Sequence, residues 1–158
     1  MTDADSRPVR QLRLVVEAED YDTAVAFYRD VLGLEEQEAF EGEGDARVTI
    51  VDAGRATLEL ANPAQRRMID EVEVGHSTDS RIRVAFEVLD AEARTTELVE
   101  HGAELVAPPT ETPWRSLNSR LDAPAGLQIT LFQELMPLEE RQGLDGFGTD
   151  TARHSGRD

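Results

Sequence analysis

The chain has 158 residues, of which 33 are acidic and 16 basic, giving a net charge of −17, and 39% are apolar. A balance this negative is expected to exclude nucleic acid and an anionic membrane surface as partners, because both are held by clustered cations. The absence of cysteine removes thiolate catalysis, cysteine zinc sites and disulfides.

The length suits one domain, or two small modules sharing a core. No stretch approaches the roughly 18 uninterrupted apolar residues of a membrane span. Met1 to Val9 is too polar for a secretory signal, so a cytoplasmic location is expected. All the basic residues are arginine, which fits either a GC-rich genome or adaptation to high salt and names no substrate.

In chain order, residues 1–10 read as a flexible N-terminus. Residues 11–18 alternate as a strand buried on one face. Asp20 is placed to cap a helix over 21–32, where Ala24, Val25, Phe27, Tyr28, Val31 and Leu32 form an apolar stripe, and Gly33 is a natural stop. Strands are predicted at 34–40, 48–53 and 56–61. Residues 62–80 are polar and interrupted, with one short helical stretch near 65–69, and read as a connector. The order then repeats: strand 82–88, an Asp90 cap, helix 91–101, strand 104–107, a break at Pro108-Pro109, strand 114–121, a turn at 122–126 and strand 127–132. Residues 134–158 are charged, with little apolar periodicity, and read as a tail.

The order recurs because the chain is written twice. Arg13-Leu14-Val15-Val16-Glu17 leads to Asp20 and a helix ending at Gly33; Arg83-Val84-Ala85-Phe86-Glu87 leads to Asp90 and a helix ending at Gly102. Leu58-Glu59-Leu60 corresponds likewise to Ile129-Thr130-Leu131. Two βαβββ modules, 11–61 and 81–133, follow from this, and copies of such a unit usually bury their apolar faces together.

The run Ala26-Phe27-Tyr28-Arg29-Asp30-Val31-Leu32-Gly33-Leu34, with Leu58-Glu59-Leu60 and Asp122-Ala123-Pro124-Ala125-Gly126-Leu127, resembles the vicinal oxygen chelate superfamily of glyoxalases, bleomycin-resistance proteins and extradiol dioxygenases. The resemblance covers residues 11–133. It implies an α+β fold of curled mixed sheets around a shared cavity, commonly in a homodimer. Metal-binding members place one ligand on the first and last strand of each module, and those positions fall here on Arg13, Glu59, Arg83 and Thr130. Only Glu59 has ligand chemistry: a guanidinium has no lone pair to give, and one carboxylate does not hold a divalent ion. No metal and no cofactor are therefore expected. A shifted site from Glu17, Glu59 and Glu87 is the alternative. His76, His101 and His154 fall at none of the four positions.

Period-two alternation names the residues that share the cavity face with those positions. They are Val15 and Glu17, Thr57 and Ala61, Ala85 and Glu87, and Gln128 and Phe132. On strand 114–121, Leu117 and Leu121 should face the helix, turning Trp114, Ser116, Asn118 and Arg120 to the cavity. Arginine beside glutamate reads either as ion pairs tying the modules together, or as a guanidinium that takes a ligand's carboxylate, phosphate or enolate. Trp114 is either a rim residue or a flat face for a conjugated ligand.

Three classes of function follow. The favoured one is a binder of a small organic anionic or aromatic molecule, held by Arg13, Arg83, Trp114, Asn118, Gln128 and Thr130. The second is a metal-independent lyase, isomerase or epimerase in which Glu17, Glu59 or Glu87 moves a proton and an arginine steadies an enolate. The third is an interaction dimer with no small ligand.

Overall fold

A computed structural model describes Pro8 and residues 11–144. The remainder of the N-terminus, and the tail past residue 144 with His154, lie outside the described residues. The chain divides after Leu60 into two units, and residues 62–80 belong to the second.

In unit 1, Asp20 accepts the Thr23 N–H at 3.1 Å and starts helix α1 at Tyr21–Val25, which continues as a wider π turn over Ala26–Val31. The predicted stripe is the buried one: Ala24, Phe27 and Leu32 are the unit's most enclosed apolar residues. Gly33 ends the helix at a φ of 90°, a conformation that costs residues with a Cβ energy. Strands β1 (Glu35–Glu41) and β2 (Arg47–Asp52) then pair antiparallel.

Two expected strands are not formed. Residues 11–18 and 56–61 have no ladder partner, and Val15, Leu58 and Leu60 are 90%, 71% and 86% exposed. Alternation encodes which face a residue would take, but not the strand that will accept it. Among the described residues the sheet of unit 1 is therefore the β1–β2 hairpin.

Unit 2 holds a complete βαβββ module. Strand β3 (Val84–Glu87), helix α3 (Ala91–Glu100) and strands β4 (Glu104–Glu111), β5 (Ser116–Ala123) and β6 (Leu127–Glu134) form a sheet in the order β3-β6-β5-β4. Its first and last strands run parallel and the others antiparallel. Asp90 caps α3 through the Ala93 N–H at 3.0 Å, as expected, and the helix lays Ala91, Thr95 and Leu98 on the sheet. Leu121, Ile129 and Leu131 from β5 and β6 complete this core.

Two readings of unit 2 need correction. Pro108-Pro109 does not end a strand: β4 runs through it with a register shift between Ala107 and Thr110. A strand at the edge of a sheet tolerates missing N–H donors on its open side, and β4 is an edge. Residues 62–80 are also more than a connector. Helix α2 (Pro63–Glu73) starts with Asn62 accepting the Gln65 N–H at 2.9 Å and proline at its first position, and it buries Ile69, Asp70 and Glu73. Past the sheet, a short helix α4 (Leu138–Gln142) occupies part of the expected tail. No helix among the described residues is long and apolar enough to cross a membrane.

Candidate ligand-binding face

The pairing of β5 with β6 sets Arg120 opposite Thr130, Asn118 opposite Phe132 and Asp122 opposite Gln128. The parallel pairing of β3 sets Ala85 beside Thr130. Alternation then places Arg83, Ala85 and Glu87 on the same side as Gln128, Thr130, Phe132, Ser116, Asn118 and Arg120. The opposite side meets α3, where the Ser119 hydroxyl pairs with that of Thr95 at 2.7 Å. The expected parity of β5 is thus correct.

What lies over the polar face differs from the open lining expected there. α2 lays its carboxylates on it. Arg120, only 1% exposed, donates from Nη1 to Asp70 Oδ1 at 2.9 Å and from Nη2 to Glu73 Oε2 at 2.5 Å. Asn118 Nδ2 donates to Glu73 Oε1 at 2.7 Å, and Asn118 Oδ1 accepts from the Ser116 hydroxyl at 2.6 Å. The chain of hydroxyls continues to Thr112, 3.0 Å from Ser116. Arg66, one turn before Asp70 on α2, approaches its Oδ2 at 3.3 Å. Two guanidiniums therefore meet two carboxylates, and the cluster is neutral. Burial alone would raise the pKa of Asp70. The Thr78 backbone N–H, the Arg120 guanidinium and the Thr78 hydroxyl outweigh it and hold the carboxyl below its ordinary value.

Beside this cluster, Arg83 Nη1 donates to Thr130 Oγ1 at 2.6 Å. Gln128 accepts from Arg120 Nη1 at 3.3 Å and donates to Asp122 at 3.3 Å. Arg83, Gln128 and Thr130 are thus brought together on adjacent strands. Asn118 lies beneath α2. Trp114 is half-buried at the β4–β5 turn, beyond Ser116, which is itself about 13 Å along the strand from Arg120 at the usual rise. Glu87 is exposed on β3.

Arg13, Glu17 and Glu59 belong to unit 1, where all three are exposed. Unit 1 has an open groove of about 370 Å³ between α1 and the hairpin, lined by Tyr21, Arg29, Phe40, Arg47 and Thr49 among others, and a second hollow of about 450 Å³ at the start of α1 beside Asp45 and Arg47. Arg47 stands 4.4 Å over the Tyr21 ring and 3.0 Å from Asp22, and the Tyr21 hydroxyl pairs with Thr49.

The donor set does not fit the divalent metal that the resemblance implies. In unit 2 the two positions that the resemblance implies for ligands hold a guanidinium, Arg83, and the hydroxyl it hydrogen-bonds, Thr130. Among the described residues no three histidine, aspartate or glutamate side chains are grouped to hold a cation. His76 Nδ1 pairs with the Ser77 carbonyl and His101 Nδ1 with that of Glu97 at the end of α3.

Asp70, Glu73 and Arg66 join this face from a segment whose sequence reads as a connector. A polar helix usually has solvated charges, but the spacing of Arg66, Ile69, Asp70 and Glu73 on one stripe is the signal that a charged side faces inward.

Residues 10–131 match the model of the glyoxalase/bleomycin resistance protein/dioxygenase superfamily. A hypothetical protein from S. aureus is 12% identical, with 82% of this chain and 97% of that one covered and a TM-score of 0.53. A glyoxalase-related enzyme from Fulvimarina pelagi is 15% identical over 80% of this chain and 89% of that one, with a TM-score of 0.49. A protein of unknown function from Agrobacterium tumefaciens is 21% identical over 81% and 98%, with a TM-score of 0.46. Identities this low speak to fold alone. No curated protein matches the sequence.

Proposed function

This chain belongs to the glyoxalase/bleomycin resistance protein/dioxygenase superfamily, and from that premise we propose that it is a metal-independent binder of a small, mostly planar organic molecule bearing an anionic or enolisable oxygen, working as a homodimer. One observation carries the reading: the guanidinium of Arg83 sits hydrogen-bonded to Thr130, and these are the two positions at which the resemblance implies metal ligands in this module. A cation fixed in place of a metal still attracts an oxyanion, and its planar fork takes a carboxylate or enolate oxygen with two N–H donors.

Arg83 is the anchor and Thr130 and Gln128 orient the ligand. Asn118 holds the floor of the face through Glu73 and Ser116 rather than touching the ligand. Trp114 covers the far rim, and Arg13 is the equivalent cation of the first module. Arg120 is committed to the carboxylates of α2, and Arg83, beside it on the same face, donates to the Thr130 hydroxyl.

Calorimetric titration of metal-free protein with a panel of aromatic acids and phenols tests the proposal. Saturable one-to-one binding of an anionic member, unchanged by a chelator, is the expected result. Binding that requires added zinc, nickel or iron would remove the metal-independent reading. Turnover of a bound compound without metal, lost in Glu17→Gln, Glu59→Gln or Glu87→Gln, would convert the binder into a lyase, isomerase or epimerase.

A further inference from the structure

Asp70 and Glu73 reach the same guanidinium from α2, but they are held unequally. Asp70 Oδ2 also accepts the Thr78 N–H at 2.9 Å, the Thr78 hydroxyl at 3.1 Å and Arg66 at 3.3 Å. Those bonds tie Asp70 to its own helix and the loop after it, whatever the sheet does. Glu73 is held by the sheet: its Oε2 accepts from Arg120 Nη2 at 2.5 Å and its Oε1 from Asn118 Nδ2 at 2.7 Å. It is also the last residue of α2, where the helix dipole disfavours a carboxylate, and the last turn carries no basic residue to offset this.

Arg120 is incompletely matched by these partners. Nη1 serves Asp70 and Nη2 serves Glu73, but Nε, buried with the rest of the side chain, has no hydrogen-bond partner among the described residues. A buried donor without a partner costs stability. A guanidinium presents Nε and Nη2 along one edge, and a carboxylate can meet that edge with both oxygens. Glu73 offers it one, because its other oxygen is on Asn118.

We propose that Arg120 and Asn118 form a second oxyanion site on this face, that Glu73 occupies it as a built-in competitor, and that a ligand carboxylate enters by displacing the Glu73 side chain. The inference rests on the binder reading above and names its ligand class: a compact aromatic dicarboxylate, with one group on Arg83 and the other on Arg120. Thr130 links the two anchors, since it accepts from Arg83 and stands opposite Arg120 in the β5–β6 ladder. The exchange conserves charge, because one carboxylate replaces another while Asp70 stays paired with Arg66. It also supplies Nε with an acceptor. The part of Asn118 in the floor belongs to the arrangement with Glu73 in place; once Glu73 leaves, the same Nδ2 donates to the incoming oxygen.

Calorimetry of the full chain with two probes, benzoate and isophthalate, tests this. A site that opens in a fraction of the molecules has its affinity lowered by that fraction, so Glu73→Gln, which removes the competing charge at nearly constant volume, should bind isophthalate about tenfold tighter than the parent or more. Benzoate, whose single group Arg83 takes, should change far less. Glu71→Gln makes the same charge change at an exposed position of α2 and should bind isophthalate as the parent does. In the parent, isophthalate should speed hydrogen exchange of amides 71–75, a reading that does not depend on how the variant folds. Isophthalate binding by Glu73→Gln that is absent, weaker than the parent's or equal to it, or exchange at 71–75 that isophthalate leaves unchanged, overturns the second site. Benzoate binding that Arg83→Met weakens would in that case leave the Arg83 anchor standing. Tighter isophthalate binding in Glu73→Gln that Arg83→Met does not weaken would keep the second site and remove that anchor.

Discussion

Arg83 reaches across from the start of β3 to donate a hydrogen bond to Thr130 at the centre of β6, 2.6 Å away. The two residues come from strands that run parallel and are neighbours only because the chain returns through α3 and the β4–β5 hairpin. A permanent cation is thereby held against a neutral hydroxyl on the polar face of the sheet.

Metal content follows directly. Protein purified without a tag should hold well below one equivalent of zinc, nickel, iron, cobalt or manganese by elemental analysis. Stabilisation by micromolar metal that Glu59→Gln abolishes would contradict this.

The cluster under α2 governs stability. Removing Arg120, as in Arg120→Met, leaves Asp70 and Glu73 as buried carboxylates without their main cation. Breaking a buried pair from one side costs about 3–5 kcal/mol, and urea unfolding should read a loss of that size. Arg29→Met, at an exposed pair with Asp30 and Glu36, should leave the unfolding midpoint nearly unchanged.

Acid should unfold the protein partly through Asp70. Its folded pKa lies below the ordinary value, so the folded state holds the proton less tightly than the unfolded chain. The contribution is full above the unfolded value of about 3.9 and is lost as pH falls through the folded value. Asp70→Asn should therefore flatten the slope of stability against pH below about pH 4. An unchanged slope would show that Asp70 is not the group responsible. Asp20 and Asp30 are also held low, by hydrogen bonds from Thr23 and Arg29, so the slope should not vanish.

The α3 face was the most legible part of the molecule, since its cap at Asp90, its stop at Gly102 and the alternation of β5 are all local signals. The face of Ser116, Asn118 and Arg120 could be named from parity alone. Its cover could not: Asp70 and Glu73 lie 50 and 47 residues before Arg120, and a helix of charged residues resembles a solvated one until its partner is known. Residues 11–18 and 56–61 show the converse. Their alternation is clear, yet a strand exists only with a neighbour, and neither has one in the single chain. The strand across Pro108-Pro109 was hidden because edge position is a property of topology.

The central claim is that Arg83 anchors an organic anion without metal. It is tested most directly by calorimetry of the best ligand from the panel against the parent protein and Arg83→Met. Loss of a hydrogen bond to a charged group is worth about 1.5–3 kcal/mol, so binding should weaken by about tenfold to a hundredfold while the melting temperature changes little. Equal affinity in the two proteins, or a large fall in melting temperature with affinity retained in the folded fraction, would show that Arg83 ties the structure together and does not bind the ligand.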